Sequence, residues 1–401
     1  MSALAVIAAT LAGAPAASAA PCVWNGGTGA WSLGSNWSCN AVPGATDSAT
    51  ISVANSEVDL TSVGESIGAL DLSSTTKLNL TASTLNLDGA VTNDGVITVA
   101  AGSILANQAG NLSIGGAGTI TLDNSAGLAQ IYLGNITLGA NETINGSGTI
   151  GANQLVFTNN GLVEANVSTG RIVIDVTGGN GGAAGGVGTG SNSGLLNNAT
   201  LEANNSTLQL NGGLYENGVG GVMEAANHGT LLIGNDVRIL NGNLSSDATS
   251  TVLAQSATNY LTDVTLTGGS KLDVDNDTLE VNGTLTNNGA ITVGGPTGGA
   301  ILRGETSGAW SLAGTGSVVL DNSKNAAQIY VGNLTIGSGQ TISGSGLIGA
   351  NQLVFTNNGL VEANVSTGRI EIDVTGGSGG TGAGGVGTGS NSGLLNNATL
   401  E

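Results

Sequence analysis

The stretch GANQLVFTNNGLVEANVSTGRI occupies residues 151–172, and the same string stands unchanged at residues 349–370. The match extends upstream at a constant offset of 198 residues, so that LDN at Leu122 recurs at Leu320. Downstream, a glycine-rich segment is one residue longer in the second copy, and the match then resumes as SNSGLLNNATLE. Self-similarity at a fixed long period is typical of stacked-repeat folds. The chain is therefore predicted to be a solenoid with an internal duplication.

The amino-acid composition favours many short strands. Of the 401 residues 70 are glycine, whereas only 8% are charged and 2% are aromatic. The chain is too rich in Val, Ile and Leu to be disordered, and too poor in Lys, Glu and aromatic residues for an ordinary helical or globular core. Asn, Thr, Ser and Gly fill the gaps between short apolar runs, as expected of strands joined by turns. We predict an all-β fold.

Short segments in which apolar and polar residues alternate run through residues 50–401, for example KLNLTA at 77–82 and KLDVDN at 271–276. Such strands bury one face and expose the other. Asn-Gly and Asp-Gly pairs between them would also suit hairpins and an antiparallel sheet. Because similar units recur every roughly 20 to 30 residues with the same turn residues, we favour a parallel β-helix of about 15 turns, ~70 Å long.

A single difference between the two copies predicts which side chains point inward. The segment IVIDV at 172–176 becomes IEIDV at 370–374, so that Val173 is replaced by Glu371. An inward glutamate without a partner would cost several kcal/mol, on the order of the penalty for any buried unpaired polar group. Position 173 should therefore face out, with the flanking isoleucines in the core.

The N-terminal segment resembles a secretory signal. Residues 1–19 form an apolar run that ends in Ala17-Ser18-Ala19, the small-x-small pattern of a signal-peptidase site. No later segment has the roughly 20 consecutive apolar residues of a membrane-spanning helix. We predict a signal peptide over 1–19 and an exported chain.

Residues 20–49 are predicted to cap the solenoid. Cys22 and Cys39 are the only cysteines, and their position behind a signal peptide predicts a disulfide formed in an oxidising compartment. Trp24, Trp31 and Trp37 lie in that loop and would cover the open apolar end of the first turn. The alternative is a carbohydrate site built on the tryptophan rings.

The predicted β-helix covers residues 50–401 and carries two glycine-rich loops at 178–190 and 376–389. Such runs cannot pack a core, so we expect them to project from the stack. The second copy stops in the middle of the repeat, after NNATLE. We expect the sequence to be a fragment that lacks a C-terminal portion.

The charge of the chain argues against nucleic-acid binding. The formal net charge is −20, and the seven basic residues are scattered singly. Binding to phosphates requires clustered Lys and Arg. We expect no nucleic-acid partner, and the charge instead favours a soluble, self-repelling surface.

Two glycine motifs match catalytic or cofactor patterns. GESIG at 64–68 fits the nucleophile elbow, but the only histidine is His228 and no helix follows. GSGTIG at 146–151 and GSGLIG at 344–349 fit a dinucleotide-binding pattern, but each runs into a strand. We interpret all three as turns of the solenoid, and we predict no catalytic residue and no cofactor.

Three alternating carboxylates, Asp273, Asp275 and Asp277, are the one candidate for a metal site. Alternation would place all three on one exposed strand face, where oxygen ligands could hold Ca²⁺. Thr278 stands where a calcium loop would have glycine. A solvated acidic face is the preferred interpretation, and calcium binding is the alternative.

The sequence resembles the passenger region of bacterial autotransporter and filamentous-haemagglutinin-type adhesins. The resemblance rests on WNGGTGAWSLGSNWS at 24–38, on NNGLVEAN at 159–166 and 357–364, and on TNDGVITV at 92–99. It implies a right-handed parallel β-helix that is secreted or displayed at the outer membrane of a Gram-negative bacterium. The implied partners are a host or neighbouring-cell surface, a glycan or a matrix.

The leading hypothesis is a non-catalytic adhesin or structural stalk. One rival is a polysaccharide-active enzyme on a β-helix, which would need paired carboxylates for glycoside hydrolysis. The acidic residues appear singly along the chain, which disfavours this rival. The other rival is a surface-layer or matrix component that assembles laterally.

Overall fold

The computed structural model of the chain describes residues 21–100, 102–108, 110–176, 194–304, 308–375 and 393–401. It is a β-solenoid of about 14 turns, with 63% of residues in strands. All pairings between the described strands are parallel, as in Val96↔Thr119 between consecutive turns. The prediction of stacked parallel coils is confirmed, and the hairpin alternative is wrong.

The strands follow one another closely along the chain. The first are β1 (Pro21–Val23), β2 (Thr28–Ala30), β3 (Ser48–Ile51), β4 (Glu57–Thr61), β5 (Gly64–Ile67), β6 (Ala69–Leu72), β7 (Lys77–Thr81), β8 (Thr84–Leu87), β9 (Val91–Asn93), β10 (Val96–Val99), β11 (Ser103–Ala106), β12 (Asn111–Gly116), β13 (Thr119–Asp123), β14 (Ala129–Leu138), β15 (Thr143–Asn159), β16 (Leu162–Ala165) and β17 (Arg171–Ile174). After the first glycine-rich segment come β18 (Leu195–Asn197), β19 (Thr200–Asn204), β20 (Thr207–Asn217), β21 (Val222–Ala226), β22 (Thr230–Leu240), β23 (Asn243–Ser246), β24 (Thr251–Gln255), β25 (Thr258–Thr262), β26 (Thr265–Leu266), β27 (Lys271–Asp275), β28 (Thr278–Asn287) and β29 (Ala290–Val293). The last are β30 (Ala300–Gly304), β31 (Ala309–Ala313), β32 (Ser317–Asp321), β33 (Ala327–Ile336), β34 (Thr341–Asn357), β35 (Leu360–Glu362), β36 (Ile370–Ile372), β37 (Leu394–Asn396) and β38 (Thr399–Leu400), and a 3-10 turn covers Gly34–Asn36.

The strands stack into three parallel columns, which we call faces A, B and C. Face A begins with β1, β3, β6 and β9, face B with β2, β4, β7 and β10, and face C with β5, β8 and β11. Longer strands bend around the corners and contribute to more than one face. The strand β15 pairs with β16 on face B, then with β17 on face C, and finally with β18 on face A.

Glycine makes one of these corners possible. Gly151 lies inside β15 with φ +110°, and a side chain there would run into the carbonyl of Asp175 in the next turn. Gly349 has the same geometry, with φ +117°, against the carbonyl of Asp373. Only glycine fits a left-handed position with a backbone this close. The glycine therefore allows β15 and β34 to bend at the GANQ segment and yet continue as one strand.

The second copy of the duplication lies on a different face from the first. In the first copy, β13 pairs with β10 and β15 on face B. Its counterpart β32 pairs with β29, which continues through β27 and β24 to the column of β17, face C. Because each turn contributes one strand to each of three faces, a duplicated segment with a multiple of three strands would place its second copy on face B again. The duplicated segment therefore contains a number of strands that is not a multiple of three. Each repeated surface appears twice, on adjacent faces of one solenoid.

A continuous apolar core runs inside the stack. Ile172 and Ile174 are fully buried, whereas Val173 between them is only half-buried and Glu371, its counterpart, is exposed. The predicted inside–outside register is confirmed. Each buried aliphatic side chain stabilises the fold by about 1.5–3 kcal/mol, so a few per turn supply most of the stability.

Polar side chains inside the corner between faces A and B form a ladder. The amide Nδ2 of Asn159 donates to Oδ1 of Asn197, and that of Asn197 donates to Oδ1 of Asn217, both at 2.8 Å. All three side chains are buried. Because each amide both donates and accepts, stacked asparagines satisfy one another without water.

The N-terminal segment is a stapled aromatic plug, as predicted. Cys22 and Cys39 form a disulfide with a Cα–Cα distance of 5.1 Å. The rings of Trp24, Trp31 and Trp37 are buried and pack edge-to-face, with centroids 4.8 and 5.0 Å apart. Buried rings cannot stack on a sugar, so the alternative of a tryptophan-based carbohydrate site is wrong.

The segment predicted as a separate cap over 20–49 also contains the first strands of the solenoid. The strand β1 pairs with β3, and β2 pairs with β4. The predicted boundary between residues 49 and 50 falls inside β3. The plug is therefore built onto the first turn and is continuous with the stack.

Reduction of the disulfide should loosen only this end of the molecule. We expect the Cys22→Ala/Cys39→Ala variant to lose about 3 kcal/mol of local stability, because the bond joins residues 17 positions apart and restricts the unfolded segment between them. Tryptophan emission should shift to the red as the plug takes up water, while far-UV circular dichroism stays unchanged. An unshifted emission spectrum would show that packing alone holds the plug.

Several predicted segments lie outside the described residues: the signal peptide at 1–19 and the glycine-rich loops at 178–190 and 376–389. In the part of the chain that the structure covers, no helix has the length and hydrophobicity required to cross a membrane.

Candidate functional site

A surface groove of about 670 Å³ lies along face B and is here called groove 1. Its floor is formed by the end of β13 and the beginning of β15, which are register partners in consecutive turns. One wall is the turn Asn124–Ser125 after β13, and the other is the turn 166–170 between β16 and β17. The groove therefore crosses several turns of the stack.

Hydrogen bonds fix the shape of groove 1. The hydroxyl of Ser147 donates to Oδ1 of Asn124 at 2.6 Å, which ties the floor to one wall. The backbone N–H of Gly146 donates to Oδ1 of Asn166 at 3.1 Å, which ties the floor to the other. The groove is thus held open by its own side chains, as a preformed binding site requires.

The carboxylate of Asp123 stays ionised at this site. Hydrogen bonds from the side chain and backbone of Ser125 lower the pKa of Asp123 below its usual value. The backbone bond measures 3.0 Å to Oδ1. A carboxylate has about four lone-pair positions, so it can still accept hydrogen bonds from a ligand.

The equivalent groove of the second copy, groove 2, measures about 830 Å³ and lies on face C. Hydrogen bonds from the side chain and the backbone N–H of Ser323 lower the pKa of Asp321 as in the first copy, and the backbone bond measures 3.0 Å. The backbone N–H of Gly344 donates to Oδ1 of Asn364 at 3.1 Å. The two grooves thus have the Asp–Ser turn bond and the Gly–Asn bond in common, on adjacent faces.

The two grooves differ in a few lining residues. Asn145 on the floor of groove 1 corresponds to Ser343 in groove 2, so the side chain at this position is smaller in groove 2. Arg369 also lines groove 2, and its guanidinium forms an exposed ion pair with Glu371 at 3.0 Å. The positive charge that Arg369 brings is therefore balanced by the glutamate that distinguishes the copies.

A second feature is a row of outward side chains on face A. Its members are successive register partners: Arg238, Tyr260, Glu280, Arg303 and Tyr330. The guanidinium of Arg238 lies 3.9 Å from the ring centroid of Tyr260, and Arg303 forms a 2.7 Å ion pair with Glu280. These contacts lie within the row, so we interpret it as a stabilising ladder on the surface.

Three glutamates form a like-charged row on face B. Glu164, Glu202 and Glu224 are register partners in consecutive turns. Burial raises the pKa of Glu202, and the charges of Glu224 and Glu164 raise it further. Among the described residues, however, no group of three or more His, Cys, Asp or Glu side chains has the geometry to hold a metal ion.

The three aspartates of the calcium alternative do not share one exposed face, so that expectation was wrong. Asp273 faces outward on β27 and is half-buried, but Asp275 and Asp277 are buried at 6% and 4% exposure. Asn276 has φ +53°, and this turns the chain inward after β27. The alternation of the strand therefore ends before Asp277.

Each buried aspartate has its own partners. Oδ1 of Asp275 accepts the backbone N–H groups of Thr297 and Gly298 at 3.1 and 3.3 Å. Oδ2 of Asp277 accepts from Nδ2 of Asn259 at 2.6 Å. Burial raises the pKa of Asp277 to about 6. These carboxylates hold turns together.

The glycine motifs are strands, so their interpretation as turns was wrong. GESI of the first motif is β5, on face C. The motif at 146–151 lies inside β15, and the motif at 344–349 lies inside β34. Their glycines allow corners within continuous strands, and a helix that could bind a pyrophosphate does not follow them.

The groove residues were not singled out by the sequence analysis. A signal existed, because Leu122–Ser125 is identical to Leu320–Ser323 while the next three residues all differ between the copies.

The chain matches no family model, and neither a curated protein nor a solved structure matches it.

Proposed function

We propose that this chain is an exported, non-catalytic β-solenoid of a Gram-negative cell surface. It would act as an adhesin or structural stalk, like the passengers of autotransporter and filamentous-haemagglutinin-type adhesins that its sequence resembles. The observation that carries the proposal is the single uninterrupted stack of about 14 turns, which displays the same groove on two adjacent faces. An extended scaffold that repeats a surface is suited to multiple contacts with a large partner.

Two further features support export and a contact role. The disulfide between Cys22 and Cys39 is of the kind that persists in oxidising compartments. The described carboxylates with the largest increases in pKa, Glu142 and Asp277, are buried and hydrogen-bonded to asparagines. Buried, hydrogen-bonded acids favour a structural role over catalysis at these positions. The partners we propose are a host or neighbouring-cell surface, a glycan or a matrix.

Adhesion of a deletion strain tests this function. We expect that loss of the gene lowers attachment of the bacterium to cells or matrix, and that beads coated with the purified protein attach by themselves. Unchanged attachment in both assays would contradict the adhesin function. Changes in cell-envelope integrity without any change in attachment would favour the structural stalk.

A further inference from the structure

We propose that grooves 1 and 2 are two equivalent binding sites for a neutral oligosaccharide, one on face B and one on face C. This inference rests on the proposed function and specifies the ligand that such a surface would recognise. The chemistry of the lining, the charge of the chain and the residues that the two copies share support it.

The lining of groove 1 offers alternating hydrogen-bond donors and acceptors. The described residues that line it are small, polar or aliphatic, and they include neither an aromatic ring nor a cation. Hydroxyls and amides surround the single carboxylate of Asp123. A sugar hydroxyl both donates and accepts, so a polyhydroxyl ligand can satisfy such a mixture. A calcium ion takes about 6–8 oxygen ligands, with carboxylates foremost among them, and the lining of the groove provides one carboxylate.

An exposed aliphatic side chain lies beside these polar groups. Val167 in groove 1 is 38% exposed, and its counterpart Val365 in groove 2 is 41% exposed. Burial of such a surface against the C–H face of a sugar ring would add a hydrophobic contribution to the hydrogen bonds. The combination of one apolar contact and several directed polar groups is typical of small-ligand sites.

The charge distribution favours a neutral ligand over an anionic one. The chain has a net charge of −20, and the carboxylates of Asp123 and Asp321 are held in the ionised form. In groove 2 the guanidinium of Arg369 is paired with Glu371. Lys324 also lies beside groove 2, where its charge acts on the carboxylate of Asp321. The lining of groove 1 contains no cation and the two cations at groove 2 are matched by two carboxylates, so acidic sugars would be repelled.

Several polar residues that line the grooves are identical in the two copies of the duplication. The turn Asp123–Ser125 is unchanged as Asp321–Ser323, although the three exposed residues that follow it differ, from AGL at 126–128 to KNA at 324–326. The floor residues Gly146 and Ser147 are unchanged as Gly344 and Ser345, whereas the floor residues Thr121 and Asn145 become Val319 and Ser343. Divergence has therefore kept the Asp-Asn-Ser turn and the Gly-Ser pair of the lining, and has changed part of the floor and the exposed residues beside the groove.

Calorimetric titration of the full chain tests the proposal. The probes are neutral cello-, malto-, xylo- and galacto-oligosaccharides, with oligogalacturonate as the anionic comparison. We expect at least one neutral probe to bind at two sites per chain. Asp123→Asn should leave one site, and Asp123→Asn/Asp321→Asn should weaken both by at least about tenfold. Asparagine keeps an acceptor for the N–H of Ser125 or Ser323, so the fold should be retained.

A matched control and a blocking variant complete the design. Asp71→Asn removes the same charge from an exposed position on face A and should leave binding unchanged. Thr169→Arg/Thr367→Arg places bulk in both grooves from exposed turns and should abolish binding. Absence of binding to every neutral probe, preference for oligogalacturonate, or equal binding by the groove variants and Asp71→Asn would overturn the proposal.

The two proposals can fail separately. Attachment of wild-type beads to cells, together with no calorimetric binding of any neutral oligosaccharide, would refute the oligosaccharide grooves and leave the adhesin function intact. Oligosaccharide binding at two sites without any attachment of wild-type beads would support the grooves and refute adhesion.

Discussion

Ile172→Glu should unfold the middle of the solenoid, whereas Val173→Glu should be tolerated. Ile172 is fully buried between register partners Gly148 and Leu208 of the neighbouring turns. A glutamate there would place an unpaired carboxyl in the core, at a cost of about 4 kcal/mol or more. The measurement is the midpoint of denaturant unfolding, followed by circular dichroism.

The control for this experiment is already present in the protein. Val173 faces outward, and its counterpart in the second copy is Glu371. We expect Val173→Glu to change stability by less than about 1 kcal/mol, as for most surface substitutions. Equal losses of stability in the two variants would mean that the strand register is wrong.

Glu142→Gln should stabilise the protein above neutral pH and flatten its pH dependence. Glu142 is 1% exposed, and it accepts from Nδ2 of Asn93 at 3.1 Å and from the N–H of Gly118 at 3.4 Å. Burial raises its pKa from 4.5 to about 7. The folded state therefore binds a proton more tightly than the unfolded state does.

The sign of the effect follows from this difference. The contribution of Glu142 to stability is fully present below pH 4.5 and is lost as the pH rises through about 7. Above that pH the burial of the charge should cost about 2–3 kcal/mol relative to low pH. Glutamine carries no charge, so the variant should lack this loss, as thermal unfolding between pH 4 and 9 would reveal.

The second copy shows that glutamine fits this site. Gln340 occupies the position equivalent to Glu142, and its Nε2 donates to the carbonyls of Asn287 and Ala313, both at 2.8 Å. Its Oε1 accepts from Nδ2 of Asn287 at 3.1 Å. The reverse variant, Gln340→Glu, should introduce the pH dependence that Glu142→Gln removes. Stability curves with the same shape for wild type and Glu142→Gln would rule out this carboxyl as the cause.

The sequence predicted the architecture because the architecture is periodic. Stacked turns repeat the same environment, so the duplication, the alternation of the strands and the change from Val173 to Glu371 were sufficient to predict a parallel solenoid and its register. The disulfide and the tryptophan plug followed from residue types that occur almost nowhere else in the chain.

The features that the sequence did not predict depend on where the chain turns. The strand β15 continues through two corners, so the number of strands in the duplication could not be counted and the shift to the next face was missed. The left-handed position at Asn276 buries Asp277, which strict alternation had placed on the surface. The grooves join residues from several turns, and their contacts cannot be derived from one strand.

Cysteine cross-linking across face C tests the parallel stack most directly. Arg171 and Thr207 are register partners, and so are Val173 and Gln209. Parallel stacking predicts that both of these cysteine pairs form disulfides rapidly under mild oxidation, while the crossed pairs Arg171→Cys/Gln209→Cys and Val173→Cys/Thr207→Cys do not. Rapid formation of the crossed pairs in place of the direct ones would demonstrate antiparallel strands and contradict the solenoid.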